Sequence, residues 1–363
     1  MTEAKDNTNT GLTLTEATHF GRLFIKYGGI MLAVLIVGRI FLRSSIAFWR
    51  AMNPPPPPPP TVGFGRLPTI NFPEKTDKDK PESYTLETPT GTTPGFGDRA
   101  KVFLMLRSTP SLLSDQRAKQ IASSYNFIFE PEVIGANIYR WRKSQPLEMQ
   151  LEMDIFNHHF EISSNYLSLP ELLANSNLPD DFEAVQRVKN FLKTTNLLPS
   201  DVASAAGEIV YLKSLGGELK QAVSFSDADF LQVDLNRFPI NGIHRMFGPN
   251  GYEGAIHAII SGALSGSSSI VSLDYTYQAV DYQQYETYPI RSSQQAWKIL
   301  QSGEAYIADL GSQPAVIIRK VMLGYFDSKE EQNYLQPIYV FEGDDGFLGY
   351  VSAISPEYVQ AGE

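Results

Sequence analysis

The stretch that decides the architecture is YGGIMLAVLIVGRIFLRSSIAFW, residues 27–49, which is followed by seven consecutive prolines, Pro54–Pro60. The uncharged first half of this stretch would rise only about 18 Å as a helix, less than the roughly 30 Å of a bilayer core. The whole stretch is long enough and takes in Arg39 and Arg43, which lie four positions apart on one helix face. We therefore predict a single transmembrane helix within residues 22–50.

Two other interpretations of this stretch are a cleaved signal peptide and a buried helix of a soluble protein. No small-residue cleavage site follows the apolar core, which argues against the signal peptide. Tyr27 at one end and Phe48 with Trp49 at the other resemble the aromatic belts of a membrane interface. Flanking basic residues do not orient the helix, because three lie on each side of its core: Lys5, Arg22 and Lys26 before it, and Arg39, Arg43 and Arg50 after it.

The segments around the anchor are polar. We interpret residues 1–21 as a short polar tail and residues 51–98 as a proline-rich and polar stalk. Seven prolines in a polyproline II helix span about 22 Å, and the following segment has turn residues and charges without an apolar period. The proline run has a second interpretation, as a docking site for an aromatic-lined groove.

Composition limits the possible functions of the remaining chain. Of the 363 residues, 42% are hydrophobic, which is enough to form folded cores. The formal net charge of −10 and the lack of a basic stripe argue against a nucleic-acid partner. The chain has no cysteine, which excludes disulfides, thiolate zinc sites and thiol nucleophiles.

Residues 99–200 predict a first α+β domain. Strand patterns occur at 99–107 and 137–142, and the run MQLEMDIFNHHFEIS (149–163) alternates between apolar and polar residues. Ser114 is a candidate helix cap, and Asp180 with Glu183 forms a candidate capping box. The alternating run predicts one buried face, made of Leu151, Met153, Ile155, Phe160 and Ile162.

Residues 201–363 predict a second α+β domain. Gly216-Gly217 and Asn241-Gly242 are strong turn signals between strand candidates. Ser292 with Gln295 forms the best capping box of the chain, and three strand candidates follow this helix. The overall prediction is an α+β fold with tandem modules, each of a helix and an antiparallel sheet.

The second domain resembles a known family. Its helix QQAWKILQSGEAYI and its strands VMLGYF, YLQPIYVFEG and GYVSAI resemble the end of YycH/YycI-type membrane-anchored regulators, and LQVDLNRFPINGI resembles the segment before it. The match covers roughly residues 208–356. The resemblance implies a PepSY-like fold, one N-terminal anchor, an outward-facing body and binding to the membrane region of a sensor histidine kinase. The proline stalk and the domain before residue 200 depart from that family.

Candidate catalytic and metal-binding motifs are incomplete. His158 and His159 are adjacent on a predicted strand, so their side chains should point to opposite faces. His244 and His257 could approach each other across a hairpin, but no acidic residue follows at a fixed spacing to complete a metal site. We therefore predict no catalytic residue, no metal ligand and no cofactor.

Several glycine-rich and acidic segments look like loops. GPNGYEG (248–254) is not a dinucleotide fingerprint, and the segment around Ser265 lacks the features of a serine nucleophile. The acidic pairs at 227/229 and 344/345 lack the other ligands of a calcium loop. All four segments are interpreted as turns.

Tyrosines cluster in DYTYQAVDYQQYETYP, residues 274–289. One interpretation places them on alternating sheet faces. The other is an exposed aromatic ridge that binds a peptide or glycan.

Two functional hypotheses are consistent with these patterns. The first is a single-pass, membrane-anchored, extracytoplasmic interaction or regulatory protein that is not an enzyme and binds an envelope or membrane protein. The second is an envelope enzyme or enzyme chaperone that acts on peptide or glycan. A deep pocket of convergent acidic groups would favour the enzyme, and an uncovered sheet face or edge would favour the binding protein.

Overall fold

A computed structural model describes residues 14–53, 58–74, 81–174, 177–312 and 314–360. The chain divides into two compact units, Met1–Pro59 and Pro60–Glu363. We call the second unit the body.

The first unit contains one long helix, α1 (Leu14–Met52). Its segment Thr18–Arg50 is the one helix in the described part of the chain that is long and apolar enough to cross a membrane. This agrees with the predicted anchor. The helix begins earlier than expected, so residues 14–21 are helical and the predicted polar tail is shorter. Of the seven prolines, Pro54–Pro57 lie outside the described residues, and the remaining three have no regular secondary structure.

The body is an α+β structure with two large sheets. Its helices are α2 (Ser114–Ser124), α3 (Pro170–Ala174), α4 (Asp181–Lys193), α5 (Ser200–Ala203) and α6 (Ser293–Gln301). Its strands are β1 (Ser83–Leu86), β2 (Arg99–Met105), β3 (Glu132–Val133), β4 (Ile138–Lys143), β5 (Met149–Asp154), β6 (Phe160–Ser164), β7 (Glu208–Leu215), β8 (Glu218–Gln221), β9 (Phe230–Leu235), β10 (Met246–Phe247), β11 (Ile256–Ser261), β12 (Ile270–Tyr275), β13 (Val280–Pro289), β14 (Tyr306–Asp309), β15 (Ala315–Phe326), β16 (Tyr334–Gly343) and β17 (Leu348–Ser352).

The nine-stranded sheet is antiparallel, with the strand order β3-β4-β5-β6-β12-β11-β9-β7-β8. Apolar side chains of α2 and α4 share one buried core with its strands. The predicted buried face of β5 and β6 is confirmed: Leu151, Met153, Ile155, Phe160 and Ile162 are all buried. This sheet therefore has one face in the core.

The caps of the two helices on this sheet differ from each other. Asp180 caps α4, since its side chain accepts a hydrogen bond from the Glu183 N–H at 2.8 Å. The other half of the predicted capping box does not form, because the Glu183 carboxylate accepts from Arg187 at 2.8 Å instead. The prediction for Ser114 was wrong, because this residue is the first of α2 rather than its cap. Its hydroxyl accepts the N–H of Ser111, which lies before the helix.

The eight-stranded sheet is mixed. Strands β1, β15, β16, β17 and β14 follow one another, β2 and β13 pair beside β16, and β10 pairs with β15. Strands β1 and β10 run parallel to β15, and the other pairs are antiparallel. Helix α6 packs on this sheet with the predicted capping box of Ser292 and Gln295, and Gly303 after it has a positive φ.

The predicted domain boundary at residue 200 does not divide the sheets. Strand β6 precedes this boundary and pairs with β12, which follows it, and β2 likewise pairs with β13. Local sequence patterns predict individual strands but not their long-range partners, which is why the two predicted domains are one body here.

The predicted stalk also ends earlier than expected. Leu67 and Ile70 are buried in the body, and β1 adds to the eight-stranded sheet beside β15. The side chain of Thr61 accepts the backbone N–H of Thr287 at 2.9 Å. Isolated apolar residues between turn residues carry no period, so the sequence pattern did not reveal that this segment packs.

Candidate functional site

One row of charged and titratable side chains crosses eight strands of the nine-stranded sheet, from β3 to β7. Each member lies directly opposite the next on the neighbouring strand, so all of them share one face. In strand order the row is Glu132, Arg140, Glu152, Glu161, Asp274, His257, Asp234 and Glu208. We call this set the charged row.

The alternation of β5 shows why the row forms. Met149, Leu151 and Met153 are buried, whereas Gln150 and Glu152 between them are partly exposed. Because successive side chains of a strand point to opposite faces, the buried set selects the core face and leaves the polar set on the other. Antiparallel sheets commonly keep one such face in water.

Near its β7 end, the charged row contains a buried hydrogen-bonded pair on β9 and β11. His257 Nδ1 lies 2.8 Å from Asp234 Oδ1, and Asp234 is almost completely buried. The carboxylate also accepts the Gly254 N–H and an amide N–H of Gln232. Burial opposes the charged form of His257, but the hydrogen bond with Asp234 and the neighbouring carboxylates outweigh it, so the pKa of His257 is raised.

Lys329, which follows β15, reaches the same part of the row. Its Nζ donates to Glu253 at 2.6 Å and to Asp274 at 3.2 Å. Burial alone would lower the pKa of Lys329, but the two carboxylates have the larger, opposite effect, so its pKa is raised. The lysine therefore stays charged and joins the two sheets at this point.

The middle of the row carries three neighbouring carboxylates. Glu161 lies between Glu152 and Asp274. Glu152 pairs with Arg140 at 2.7 Å and Asp274 pairs with Lys329, whereas Glu161 has no hydrogen-bond or ion-pair partner within the described part of the chain. Partial burial, followed by the charges of its two acidic neighbours, raises the pKa of Glu161.

A second polar cluster lies inside the body, around Arg237. The guanidinium is buried, with Nε 2.8 Å from Asp327 and Nη1 3.1 Å from Asp201. The hydroxyls of Tyr277 and Tyr282 donate to Asp201 at 2.9 and 2.7 Å. Burial and then charge effects that include Asp201 raise the pKa of both tyrosines, so they remain neutral donors. The cluster ties together segments of both sheets.

A pocket of about 350 Å³ borders this cluster. Its single acidic lining residue, Glu208, forms an ion pair with Arg245. The pocket thus lacks the convergent acidic groups that would favour the enzyme hypothesis.

The tyrosine-rich segment is not an exposed ridge. Tyr275 and Tyr288 are buried, and Tyr277 and Tyr282 point to Asp201. Of this group, Tyr285 is exposed, with the Lys101 ammonium 4.0 Å from its ring centroid. The structure therefore agrees with the sheet-face interpretation for most of these tyrosines.

The histidines take positions that differ from the expectation. His158 and His159 lie in the turn between β5 and β6 rather than on one strand, and His158 has a positive φ of 60°. His244 contacts the carbonyl of Leu323 at 3.0 Å, whereas His257 contacts Asp234. Sequence spacing missed this acid because strand pairing, not chain proximity, brings it to the histidine.

The segments interpreted as turns are turns or loops in the structure. In the loop GPNGYEG, the carboxylate of Glu253 accepts a hydrogen bond from Lys329. The segment around Ser265 connects β11 to β12. Asp227 pairs with Lys213, and Asp344 pairs with Arg319. Among the residues that the structure describes, no group of three or more histidines and acids is arranged to hold a metal ion.

No protein-family model and no curated protein matches this chain. Among solved structures, an uncharacterized protein from Eubacterium rectale ATCC 33656 is similar with a TM-score of 0.31 and 12% sequence identity, over 73% of this chain and 86% of that chain. A TM-score of this size carries no argument about fold or function. The YycH/YycI-type resemblance therefore stays a prediction.

Proposed function

We propose that this chain is a single-pass membrane protein whose body lies outside the cytoplasm and binds a basic segment of an envelope protein on the charged row. The apolar helix Thr18–Arg50 supports the anchor. The outward orientation rests on the YycH/YycI-type resemblance and on the prolines after the helix. The observation that carries the binding function is the row of eight charged or titratable residues on the face opposite the core.

The acidic centre of the row is the contact point of this proposal. Like charges directly opposite each other destabilise a sheet, and Glu152, Glu161 and Asp274 are three such neighbours. A lysine or arginine from a partner would relieve this repulsion and gain a charge-assisted hydrogen bond to Glu161. The fold keeps an unfavourable local arrangement that a cationic partner would convert into a favourable one.

The length of the row fits a protein segment. Adjacent strands lie about 4.8 Å apart, so the part of the row from Glu132 to Asp274, whose side chains are exposed or partly exposed, spans roughly 19 Å. Exposed ion pairs contribute only about 0–1 kcal/mol each, so specific binding needs several contacts along such a length. The partner is therefore an extended or helical segment with spaced basic residues.

The test places a photo-reactive amino acid at position 161 of the full chain in living cells. The matched control carries it at position 148, an exposed glutamate just before β5 and outside the row. We expect position 161, and not position 148, to cross-link to an envelope protein. Glu152→Lys in the same chain should abolish the adduct, because it removes one of the carboxylates that flank the site, whereas Lys298→Glu on α6 should not.

Equal labelling from both positions, or an adduct at position 161 that survives Glu152→Lys, would contradict the proposal. Addition of salt to isolated membranes gives a second check. A charge-based contact should weaken as ionic strength rises, because exposed charges are screened within about 8 Å at 0.15 M.

A further inference from the structure

Strand β8 (Glu218–Gln221) is an edge of the nine-stranded sheet. It pairs with β7 through the two-residue turn Gly216-Gly217, in which both glycines have positive φ. An edge strand presents unpaired N–H and C=O groups that can pair with another strand. This edge is separate from the centre of the charged row, so pairing at β8 does not require binding at that row and rests only on the membrane anchor of the proposed function.

The hairpin geometry identifies the outward-facing backbone groups. The Ala222 N–H donates to the Tyr211 carbonyl of β7 at 2.8 Å. In an antiparallel pair, alternate residues exchange hydrogen bonds, so Glu218 and Lys220 also direct their backbone groups toward β7. Leu219 and Gln221 therefore direct theirs away from the sheet.

An antiparallel pairing of β8 with a second copy of itself has three short registers. The residues that face outward must lie opposite one another, so Leu219 can lie opposite Leu219, Gln221 or Gly217. The first register places Glu218 opposite Lys220 twice. The second places Lys220 opposite Lys220, and the third places Glu218 opposite Glu218. Opposite charges in cross-strand pairs stabilise a sheet and like charges destabilise it.

We propose that two copies of this chain associate through β8, antiparallel, with Leu219 opposite Leu219. A lysine on an edge strand usually opposes pairing, but Glu218 two residues earlier neutralises it in this register alone. Leu219 is partly buried against apolar side chains of the nine-stranded sheet, so the Leu219 pair adds an apolar contact at the interface. The charges of Glu218 and Lys220 thus favour a second copy of this chain as the partner, and they favour one register of pairing.

The proposed β8 interface is small and should be weak, but the membrane anchor increases the concentration at which two copies meet. Four-residue strands bury far less than the roughly 1,200–2,000 Å² of a standard interface. Confinement of both copies to one membrane raises their effective concentration, so a weak contact can be populated there. The association is therefore expected in membranes.

The absence of cysteine from the chain permits a direct test of the register. Single cysteines are introduced at positions 218, 219 and 220 of the full chain, and isolated membranes are oxidised. Directly opposite residues that exchange hydrogen bonds have Cα atoms about 5.5 Å apart, within the roughly 4.4–6.8 Å range of disulfides. We expect a disulfide-linked dimer from Leu219→Cys, and not from Glu218→Cys or Lys220→Cys.

A second experiment leaves Leu219 unchanged. Co-expressed Glu218→Cys and Lys220→Cys chains should form a mixed dimer, because these positions face each other in the proposed register. A dimer from Lys220→Cys alone or Glu218→Cys alone, or equal cross-linking at all three positions, would overturn the register. No dimer from Leu219→Cys and none from the mixed pair would overturn the association.

Charge exchange then tests the reason for the register. In the Leu219→Cys background, Glu218→Lys or Lys220→Glu should each reduce dimer formation about tenfold, because the twofold arrangement turns both favourable pairs into like-charge pairs. The double variant Glu218→Lys/Lys220→Glu should restore the dimer. A double variant that cross-links as poorly as the single variants would show that these charges do not pair.

Discussion

At the residue scale, the hydrogen bond between His257 and Asp234 makes stability depend on pH. The pKa of His257 is raised in the folded body, whereas an unfolded histidine titrates near 6.5. The folded state therefore binds the proton more tightly, so the stabilisation is fully present below about pH 6.5 and is lost as pH rises through the folded pKa. We expect His257→Gln to cost ~1.5–3 kcal/mol at pH 5.5 and clearly less at pH 8.5, measured by urea unfolding of residues 60–363.

Asp234→Asn is the companion variant for this prediction. It removes the carboxylate that raises the pKa of His257, so the pH dependence of the His257→Gln effect should largely disappear in the Asp234→Asn background. An effect of His257→Gln that is equal at both pH values in the unmodified body would show that the pair is not charged when folded.

The same pair shows where sequence analysis reaches its limit. Asp234 and His257 are 23 residues apart, and each occupies a polar position on a strand that is otherwise mostly apolar. That irregularity was a usable signal for a buried polar pair. The partner could not be named, because register between strands depends on the whole sheet and not on local spacing.

At the element scale, helix α6 was predictable because its signals are local. The capping box, the apolar spacing and the terminating glycine all lie within twelve residues of sequence, and the helix forms at Ser293–Gln301. Segment 61–98 was not predictable, because its burial depends on distant strands. Local chemistry thus predicts element type, whereas distant partners decide packing.

Trp297 lies on α6 directly after Ala296 and three positions before Leu300, a place on the apolar stripe that predicts burial against the sheet. In the structure its ring centroid is 5.9 Å from that of Phe341, but the side chain is only half-buried. Truncation of a fully buried tryptophan costs ~3–5 kcal/mol, so Trp297→Ala should cost about half of this. Leu300→Ala, at a completely buried position of the same helix, should cost at least as much, and the exposed Lys298→Ala close to nothing. Urea unfolding of residues 60–363 measures all three.

The order of the three variants decides the result. A Trp297→Ala body that is more destabilised than Leu300→Ala would place the tryptophan deeper in the core than the structure does. A Trp297→Ala body that unfolds like the unmodified one would assign this side chain to a surface role.

At the scale of the whole molecule, the division into two units predicts that anchor and body separate. A chain of residues 60–363 retains both sheets and their cores. We expect it to remain in the soluble fraction, to unfold cooperatively and to be released from membranes without detergent. The full chain, with its apolar helix, should need detergent. A folded 60–363 chain that still sediments with membranes would show that the body carries its own membrane contact.

The orientation of the anchor is the last property to be tested at this scale. Basic residues flank the apolar core on both sides, with Arg22 and Lys26 before it and Arg39, Arg43 and Arg50 after it in the helix, so charge alone does not place the body outside. The helix segment Thr18–Arg50 has 33 residues and is about 50 Å long, well beyond a bilayer core of roughly 30 Å. Some of these arginines can therefore reach the lipid headgroups from within the helix, which allows the C-terminal side to face outward.

Proteinase K added to spheroplasts that express an N-terminally tagged chain should leave a short, membrane-protected tagged fragment. Protection of the full chain until the membrane is lysed would place the body in the cytoplasm, and the envelope partner would then be excluded together with the outward orientation.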